Sequence, residues 1–459
     1  MLHRGLARAE PSSTLPASRE LLSGWGGWPR STAHVVRPAD PLLLERLSIS
    51  GRGVVARGLG RSYGDAAQLS GGTVIDMTAL RGVEGFDPAT GSVTALAGTS
   101  LGEILEQTVP RGWFLPVTPG TRHVTVGGAV AADVHGKNHH RDGSFGSYIE
   151  ELRLVTPEGV VDVMPGDPAF PVTVGGMGLT GVIAKARFRL KPIETPWMQV
   201  DTLRGDDIET VMGLLHDMDL RRQYTVAWLD LTRAGRGRGI VLAADHTLSG
   251  DLPAHLQAKP LARRSMPTPV MPRLPGPGLV NAVTVGAFNR MWLARAPARE
   301  LERLERLDSF FFPLDRVESW NRIYGNRGFL QYQFVVPPQE ATVLVTVARI
   351  ISAAAPVSLA VMKRMGRSSG GMLSFPTEGW TLSLDMPLGD SRLGRALDRC
   401  DRLVAEAGGR VYLAKDSRLL ADAVRDMYPS LTGWREARAR LDPMGELRSD
   451  LSDRLGLVA

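Results

Sequence analysis

Cysteine, long apolar runs and blocks of basic residues are all scarce in this sequence. Cys400 is the single cysteine among 459 residues, which excludes an internal disulfide framework and a cysteine-based zinc site. No uninterrupted apolar run approaches the roughly 20 residues that a membrane-spanning helix needs. The first thirty residues lack the apolar core of an export signal. We therefore expect a protein without an ordinary signal peptide that is soluble or peripherally attached to a membrane.

The charge balance is basic but dispersed. The net charge is +6, which suits an acidic ligand or an anionic membrane surface. Nucleic acid is not predicted as a partner, because no Lys/Arg block and no nucleic-acid-binding signature occurs. A chain of 459 residues, of which 43% are hydrophobic, is long enough for two or three structural units.

A segment rich in glycine and histidine, residues 118–140, carries the strongest local signal of a ligand site. Gly127 and Gly128 precede a small apolar run at residues 129–132, so their backbone amides are predicted to meet an anionic ligand at the start of a helix. The loop that follows brings polar and titratable groups close to that ligand; they are His135, Lys137, Asn138, His139 and His140. These features predict a phosphate-bearing cofactor with chemistry beside it.

Two further glycine-rich turns are interpreted differently from each other. Residues 54–65 read as a short apolar strand and a turn with three glycines and two arginines, which can wrap phosphates. Residues 176–181 match the G-x-G-x-x-G spelling of a dinucleotide fold, which requires a helix after it. Residues 182–190 alternate apolar and polar side chains instead, which predicts a strand. We therefore reject a Rossmann fold and expect this turn to lie close to a ligand.

Periodicity and capping predict the elements between these segments. Ser100 is expected to cap a helix over residues 101–109, residues 151–163 to form a hairpin, and residues 300–308 to form a charged amphipathic helix. A helical region is expected to end near residue 455. Strands are predicted at residues 34–37, 73–77, 93–97, 224–231, 239–244, 329–336 and 379–385.

The sequence leaves two interpretations open for one segment and four side chains. Residues 263–278 are expected to be mobile, as a flap over a greasy anionic substrate or as a disordered surface loop. Gln331 and Gln333 indicate a polar ligand or hydrogen bonds within the fold. Lys363 either contacts a phosphate or is solvated, and Lys415 is either an ion-pair anchor or a group directed at a cofactor.

Seven motifs in order give the chain a resemblance to a known family. They are residues 56–65 (ARGLGRSYGD), 119–122 (PGTR), 125–128 (TVGG), 135–140 (HGKNHH), 178–181 (GLTG), 328–334 (GFLQYQF) and 414–418 (AKDSR). From about Gly24 to the C-terminus, the chain resembles FAD-linked oxidases of the vanillyl-alcohol oxidase type. The resemblance implies an α+β fold, with a two-subdomain FAD-binding domain of the PCMH type and an α+β substrate domain built on an antiparallel sheet.

The resemblance also implies domain boundaries. The FAD-binding domain would occupy residues 1–195, with an N-terminal arm at residues 1–30. The substrate-binding domain would occupy residues 196–405, with a mobile loop at about 263–290. Residues 406–459 would form a C-terminal segment that returns to the FAD domain.

Individual residues receive roles from the same resemblance. Lys415, Tyr63 and His135 are the implied catalytic residues, and Lys415 is expected near the flavin N1/O2 edge, where a cation stabilises developing negative charge. The implied substrate-binding residues are Lys137, Gln331, Gln333, Lys363, Thr381, Ser383 and Lys415. The implied cofactor-binding residues are Ala56, Arg57, Gly58, Leu59, Gly60, Arg61, Ser62, Tyr63, Gly64, Asp65, Ala66, Gly120, Thr125, Val126, Gly127, Gly128, Ala132, Asp133, Val134, His135, Ile183 and Tyr412. No residue is assigned to a metal.

Non-covalent FAD is the predicted cofactor. Some relatives attach FAD through a histidine in the arginine-glycine turn, whereas residues 57–65 contain no histidine. His135 is implied to be only a neighbour of the flavin ring.

The motifs are most similar to one branch of the family, whose members oxidise the ribose C2′ hydroxyl of a polyprenyl-phosphate ribose to a 2′-keto sugar. A separate NAD(P)H-dependent keto-reductase would complete the epimerisation to arabinose for cell-wall arabinan. The lipid substrate implies peripheral contact with the plasma membrane, on the periplasmic side by resemblance, although the missing export signal leaves the cytoplasmic face open. The alternatives are a soluble oxidase of sugars, alditols or aldonolactones that uses oxygen, and a non-catalytic scaffold.

Two residues depart from that branch. Ser383 stands where many members carry the cysteine that covalent nitroaromatic inhibitors attack, and Thr381 stands where asparagine is common. Because serine lacks the nucleophilicity of a thiolate, we expect resistance to covalent capture with turnover retained.

Overall fold

The computed structural model describes residues 16–45, 51–232, 237–262 and 268–458. The strands in these ranges are β1 (Ser18–Ser23), β2 (Arg30–Val36), β3 (Val54–Arg57), β4 (Thr73–Asp76), β5 (Val83–Asp87), β6 (Ser92–Leu96), β7 (Trp113–Phe114), β8 (Ile149–Thr156), β9 (Gly159–Val163), β10 (Val182–Arg189), β11 (Lys191–Pro192), β12 (Trp197–Gly205), β13 (Tyr224–Asp230), β14 (Arg238–His246), β15 (Arg299–Arg306), β16 (Phe329–Val336), β17 (Leu359–Met365), β18 (Gly379–Pro387) and β19 (Arg410–Val411).

The α-helices in the same ranges are α1 (Pro41–Glu45), α2 (Leu101–Thr108), α3 (Val126–Ala131), α4 (His139–Asp142), α5 (Phe170–Thr173), α6 (Ile208–Asp219), α7 (Ala254–Gln257), α8 (Ala282–Arg295), α9 (Leu307–Phe311), α10 (Ala341–Ala354), α11 (Ser391–Glu406), α12 (Ala421–Met427), α13 (Leu431–Ala439) and α14 (Asp450–Leu455). Short 3₁₀ segments lie at Met77–Ala79, Val109–Arg111, Phe145–Tyr148, Ser249–Asp251, Pro313–Arg316, Trp320–Arg327 and Pro338–Glu340.

The N-terminal part of the chain builds a four-stranded sheet, a five-stranded sheet and a two-stranded pair of β7 with β11. The first has the order β1-β2-β4-β3, and β4 runs parallel to both β2 and β3. The second is antiparallel, with the order β5-β6-β10-β8-β9. Alternate residues of β6 and β8 are buried, as expected for strands with one face on a core. That core also receives apolar side chains from α2 and α3.

The largest sheet has eight antiparallel strands in the order β15-β12-β14-β13-β17-β18-β16-β19. Helix α6 packs on β12, β13 and β14, and helices α10 and α11 pack on β16 and on each other. Every residue of β16 is buried, so its two glutamines lie inside the molecule rather than in solvent. The α+β class and the antiparallel sheet of the C-terminal part are confirmed.

Several elements agree with the sequence predictions. Ser100 accepts a hydrogen bond from the Glu103 amide and Glu103 caps it in return, so α2 begins where capping predicts. The hairpin is β8 with β9. The 176–181 turn is followed by strand β10 rather than a helix, which confirms the rejection of a Rossmann fold. The helical region at the C-terminus ends with α14.

The helix predicted over residues 300–308 is wrong, because residues Arg299–Arg306 form edge strand β15. Leucines spaced by three imitate a helical stripe, but pairing with β12 overrides that local pattern. Glu302 has a φ of 58°, and its amide donates to Asp201 Oδ1 at 2.8 Å. The register of the β12–β15 pair shifts between Val200 and Thr202. This bulge interrupts the alternation of side chains in β15 by which a strand is recognised in a sequence.

Two other boundaries change. The strand predicted at residues 34–37 is the longer β2, which pairs with β1, a strand that the pattern did not reveal. Within the loop expected at about 263–290, residues 263–267 lie outside the described residues, and α8 begins at Ala282. In the part of the chain that the structure describes, no helix combines the length and apolarity needed to cross a bilayer.

The C-terminal helix α14 ties two distant loops together. Arg454 donates to both carboxylate oxygens of Asp65 at 2.8 and 2.9 Å and to Asp416 Oδ2 at 2.9 Å. Asp65 follows β3, and Asp416 follows β19, so one buried ionic cluster joins the first sheet to the last. Both carboxylates are almost fully buried, and paired buried charges of this kind are costly to break.

Candidate active site

A deep cleft lies where the loop after β3, helix α3 and the large sheet meet. It contains about 1740 Å³ of empty space, part of it open to solvent. The loop after β3 lines it together with β16, β17, β18 and the turn after β19. The loop is held in place because Tyr63 N donates to Ala414 O at 3.0 Å, and Trp25 N donates to Ser62 O at 2.8 Å.

The loop at residues 58–62 presents free hydrogen-bond donors to this cleft. None of its five backbone amides donates a hydrogen bond to another described residue, and all five residues line the cleft. Gly58 must be glycine, since a Cβ there would lie 2.2 Å from Thr125 Oγ1. The guanidinium of Arg61 stacks 3.9 Å over the Trp25 ring, and its buried Nε has no partner in the described structure. These donors suit a phosphate-bearing ligand.

The start of helix α3 is less available than its glycines predict. The amides of Val126 and Gly127 donate to Thr99 O and Ala97 O, and that of Gly128 donates to the N-cap Thr125. The expectation that these amides meet an anion is therefore corrected, because carbonyls in the segment between β6 and α2, and the N-cap hydroxyl, already accept their hydrogen bonds. Gly127 and Gly128 still line the cleft, where the missing side chains leave room for a ligand.

Room for a ligand is also visible at Gly120. It lines the cleft, and a Cβ built on it would have no atom within 4 Å. A side chain at this position would project into the space that a bound molecule needs. Together with the free amides of residues 58–62, this opening fits the extended shape and the two phosphates of a dinucleotide.

A lysine and a tyrosine of the cleft lining lie in contact. Lys415 Nζ is 3.9 Å from the centre of the Tyr63 ring, and that ring packs edge-on against Phe329. Burial raises the pKa of Tyr63 well above its ordinary value, and the nearby Asp385 carboxylate adds to this. Tyr63 is therefore a protonated hydroxyl at neutral pH, able to donate a hydrogen bond but not to act as a base.

Asp385 is the residue behind this pair that the sequence analysis missed. It is 1% exposed, accepts a hydrogen bond from Gln331 Nε2 at 2.5 Å, and its Oδ2 has no partner among the described residues. Burial raises the pKa of Asp385 and lowers that of Lys415, whereas their mutual attraction opposes both shifts. A signal was present, because residues 381, 383 and 385 share one face of a strand.

His135 connects the helix side of the cleft to the sheet. Lys363 Nζ donates to its Nδ1 at 3.2 Å, and its Nε2 lies 3.0 Å from Gln333 Nε2. Burial lowers the pKa of His135 well below its ordinary value, and the Lys363 cation adds to this, so the imidazole is neutral. Burial also lowers the pKa of Lys363 to about 8, which leaves it mainly charged at neutral pH.

Most of the predicted site residues line this one cleft. They are Ala56, Gly58, Leu59, Gly60, Arg61, Ser62, Tyr63, Ala66, Gly120, Thr125, Gly127, Gly128, Ala132, Val134, His135, Ile183, Gln331, Gln333, Lys363, Ser383, Tyr412 and Lys415. Trp25, Leu314 and Trp320 also line it, although no sequence motif indicated them. The structure thus brings together residues that lie more than three hundred positions apart in the chain.

The remaining predicted residues lie behind the lining. Arg57 donates to Ser23 O and Ala67 O, and Asp133 accepts from the Ser144, Ser369 and Ser374 hydroxyls and from the Gly146 amide. Thr381 donates to Phe334 O and accepts from Gln333. Gly64 packs against Asp416, Asp65 pairs with Arg454, and Val126 is a core residue.

Lys137, a predicted substrate-binding residue, contacts Phe310 instead of lining the cleft. Its ammonium lies 4.4 Å from the centre of the Phe310 ring and donates to the Phe310 carbonyl. Burial lowers the pKa of Lys137 to about 7. It does not line the cleft, and its contacts are those of a residue that joins α4 to α9.

Comparison with known proteins agrees with this geometry. Residues 42–164 match the FAD binding domain family, which includes the free-amide loop and α3. The chain is 37% identical, over 97% of its length and all of the relative, to decaprenylphosphoryl-β-D-ribose oxidase of Mycolicibacterium smegmatis. It is 41% identical, over 78% of its length and all of the relative, to an uncharacterised protein of Streptomyces coelicolor.

A more distant relative has a different activity. An alditol oxidase from a Streptomyces strain is 26% identical over 93% of this chain and 96% of its own length. Identity over the whole of both chains is much higher to the Mycolicibacterium smegmatis protein. This chain is an FAD-dependent oxidoreductase and belongs to the family of FAD-linked oxidases that includes decaprenylphosphoryl-β-D-ribose oxidase.

Proposed function

We propose that this protein oxidises the C2′ hydroxyl of decaprenylphosphoryl-β-D-ribose to a ketone, as the first half of an epimerisation that leads to decaprenylphosphoryl-arabinose for cell-wall arabinan. The observation that carries the proposal is the identity of 37% over the full length of the Mycolicibacterium smegmatis oxidase. An NAD(P)H-dependent keto-reductase would complete the epimerisation. The lipid substrate favours a peripheral position at the plasma membrane, and the family resemblance favours its periplasmic side.

FAD, when bound, supplies the ring system that accepts a hydride from the sugar carbon. We assign the free amides of residues 58–62 and the Arg61 guanidinium to the FAD phosphates, since both are unpaired donors on the cleft wall. The bond to FAD is non-covalent in this proposal. Residues 57–65 contain no histidine, and both ring nitrogens of His135 already contact Lys363 and Gln333.

Around the sugar, each side chain has a role that follows from its protonation state. Lys415, in its charged form, stabilises negative charge that develops during oxidation, and Tyr63 donates a hydrogen bond from its protonated hydroxyl. Neutral His135 accepts a hydrogen bond from Lys363 through Nδ1 and so fixes that ammonium in position. Gln331 and Gln333 suit hydrogen bonds to sugar hydroxyls, and Lys363 suits a point-charge contact with the substrate phosphate.

Anaerobic mixing of the holoenzyme with farnesylphosphoryl-ribose tests the proposal. The oxidised flavin band is expected to bleach, and Lys415→Met is expected to slow bleaching by about 10²- to 10³-fold, the usual loss when one charge-stabilising group is removed. Lys185→Met is the matched control, because Lys185 pairs with Glu84 on the surface. Turnover of free alditols with peroxide release, without bleaching by the prenyl-phosphate sugar, would contradict the proposal and favour an alditol oxidase.

A further inference from the structure

Helix α8 exposes an apolar surface that the cleft does not explain. Val283 is 78% exposed, Phe288 50%, Met291 42% and Trp292 47%. We call these four side chains the α8 face. The rings of Phe288 and Trp292 stack with centroids 6.1 Å apart and planes 14° apart, so they form one flat aromatic surface.

The orientation of this helix on the protein is fixed. Its buried residues are Val285, Asn289 and Leu293, a single stripe at helical spacing. Asn289 Nδ2 donates to Asp230 Oδ1 at 2.9 Å, which anchors that stripe to β13. The α8 face is therefore held outward. Helices that are apolar on most sides are normally buried, and exposed apolar patches of this kind mark a partner or a membrane.

The charge around the α8 face indicates an anionic partner. Residues 252–299 contain no aspartate or glutamate, while their basic residues are Lys259, Arg263, Arg264, Arg273, Arg290, Arg295 and Arg299. Arg273, Arg290, Arg295 and Arg299 are exposed. None of these four forms an ion pair with an acidic side chain in the described ranges. Aromatic residues combined with unpaired arginines suit the boundary of a bilayer that contains anionic lipids.

The segment that leads into α8 is continuous with the cleft wall. Leu279 N donates to Ile323 O at 2.7 Å, and Val280 packs against the cluster that contains Tyr63 and Phe329. Trp25 and Trp320 belong to the same cluster and line the cleft. The apolar surface therefore starts beside the substrate cleft rather than at a remote part of the molecule.

We infer that the α8 face docks on an anionic lipid bilayer, with Phe288 and Trp292 inserted at the boundary and Arg290 and Arg295 against the lipid headgroups. This inference rests on the proposed function in one respect, since a lipid-linked sugar reaches the cleft from a membrane. Docking beside the cleft shortens the distance over which the prenyl chain leaves the bilayer.

Flotation of the holoenzyme with vesicles tests the docking surface. Vesicles of phosphatidylcholine with phosphatidylglycerol are expected to carry the protein, and vesicles of phosphatidylcholine alone to carry much less. The double variant Phe288→Gln/Trp292→Gln is expected to lower the partition constant at least about tenfold. Arg290→Gln/Arg295→Gln is expected to lower it by about fivefold per arginine on the anionic vesicles only.

A matched control uses exposed apolar residues away from α8. Leu220 is 71% exposed and Met444 81%, and Leu220→Gln/Met444→Gln is expected to float like the unmodified protein. Equal FAD content and an equal circular dichroism spectrum would show that the α8 variant retains its fold and its cofactor site.

Three outcomes would overturn the inference. They are unmodified protein that floats with neither vesicle, an α8 double variant that floats as well as the unmodified protein, and a dimer in sedimentation velocity that the α8 double variant converts to monomer. Vesicle binding needs no substrate, so failure of the proposed oxidation would leave this test intact. A normal oxidase that ignores vesicles would reject the docking surface alone.

Discussion

The substitution Asp385→Asn tests whether Lys415 works as a cation in the cleft. The Asp385 carboxylate raises the pKa of Lys415, which burial lowers. Asparagine keeps the shape of the side chain and can accept the Gln331 hydrogen bond, but it removes the negative charge. We therefore expect Lys415 in the variant to lose its proton at a lower pH than in the unmodified enzyme.

The expected size of this effect follows from the separation of the two groups. An opposite charge within about 4–6 Å moves a pKa by about 1 to 3 pH units. The lower end applies here, because Lys415 and Asp385 form no ion pair within 4.0 Å. In a plot of the flavin-reduction rate against pH, the alkaline limb, where the rate falls as Lys415 loses its proton, is thus expected to move down by about 1 pH unit. At pH values above the alkaline limbs of both enzymes, the variant is expected to be about tenfold slower.

Stopped-flow bleaching of the flavin by farnesylphosphoryl-ribose, measured across the neutral range, checks this expectation. The variant and the unmodified enzyme are expected to converge at low pH, where Lys415 is protonated in both. Asp87→Asn, an exposed charge removal on β5, controls for the change in net charge. An alkaline limb that stays in place, or moves to higher pH, would refute a cationic role for Lys415 that depends on Asp385.

The same substitution has a consequence for stability. Burial raises the pKa of Asp385 above its ordinary value of 3.8, so folding favours the protonated carboxyl. That contribution is complete below pH 3.8 and is lost as the pH rises through the raised pKa. Between pH 4 and neutrality, the melting temperature of the unmodified protein is therefore expected to fall relative to that of the Asp385→Asn variant. Paired thermal melts at the two ends of this range measure it.

Two further predictions concern the cleft lining. Ser383 is expected to escape covalent labelling by an activated nitrobenzothiazinone while turnover continues, and Ser383→Cys is expected to gain labelling, both read by intact-mass spectrometry; rapid labelling of the unmodified protein would contradict this. Gly120→Leu is expected to fill the cleft and lower FAD affinity by at least about tenfold with unchanged circular dichroism, because a Cβ there points into open space. Gly286→Leu, at a helix position with no atom within 4 Å of a Cβ, is the control, and normal flavin content in Gly120→Leu would contradict the cofactor position.

Sequence pattern was most informative where one local rule governs the structure. Alternation after residue 181 predicts a strand, and that strand is what excludes a dinucleotide fold of the Rossmann type. The Ser100 cap likewise predicts the start of α2. The glycine turn after residue 57 predicts open backbone beside a ligand, and Gly58 and Gly60 line the cleft.

The sequence was least informative where a distant partner decides the outcome. Leucines at residues 301, 304 and 307 fit a helix by spacing, but pairing with β12 places Leu301 and Leu304 in strand β15, and a helix begins only at Leu307. The amides at the start of α3 look free in a sequence, but Ala97 and Thr99 accept them. Lys137 sits in a motif with His135, yet the Phe310 ring and carbonyl, more than 170 positions away, determine where its ammonium lies.

The Arg454 cluster has a consequence for the order in which the protein can assemble. Asp65 stands 389 positions before Arg454, and the loop it anchors carries the free amides of the cleft. During synthesis that loop is made early, before the Arg454 guanidinium that neutralises the Asp65 carboxylate in the folded protein. This wall of the cleft can therefore reach its final form only after residue 454 has been made, and we expect flavin uptake to follow translation of nearly the entire chain.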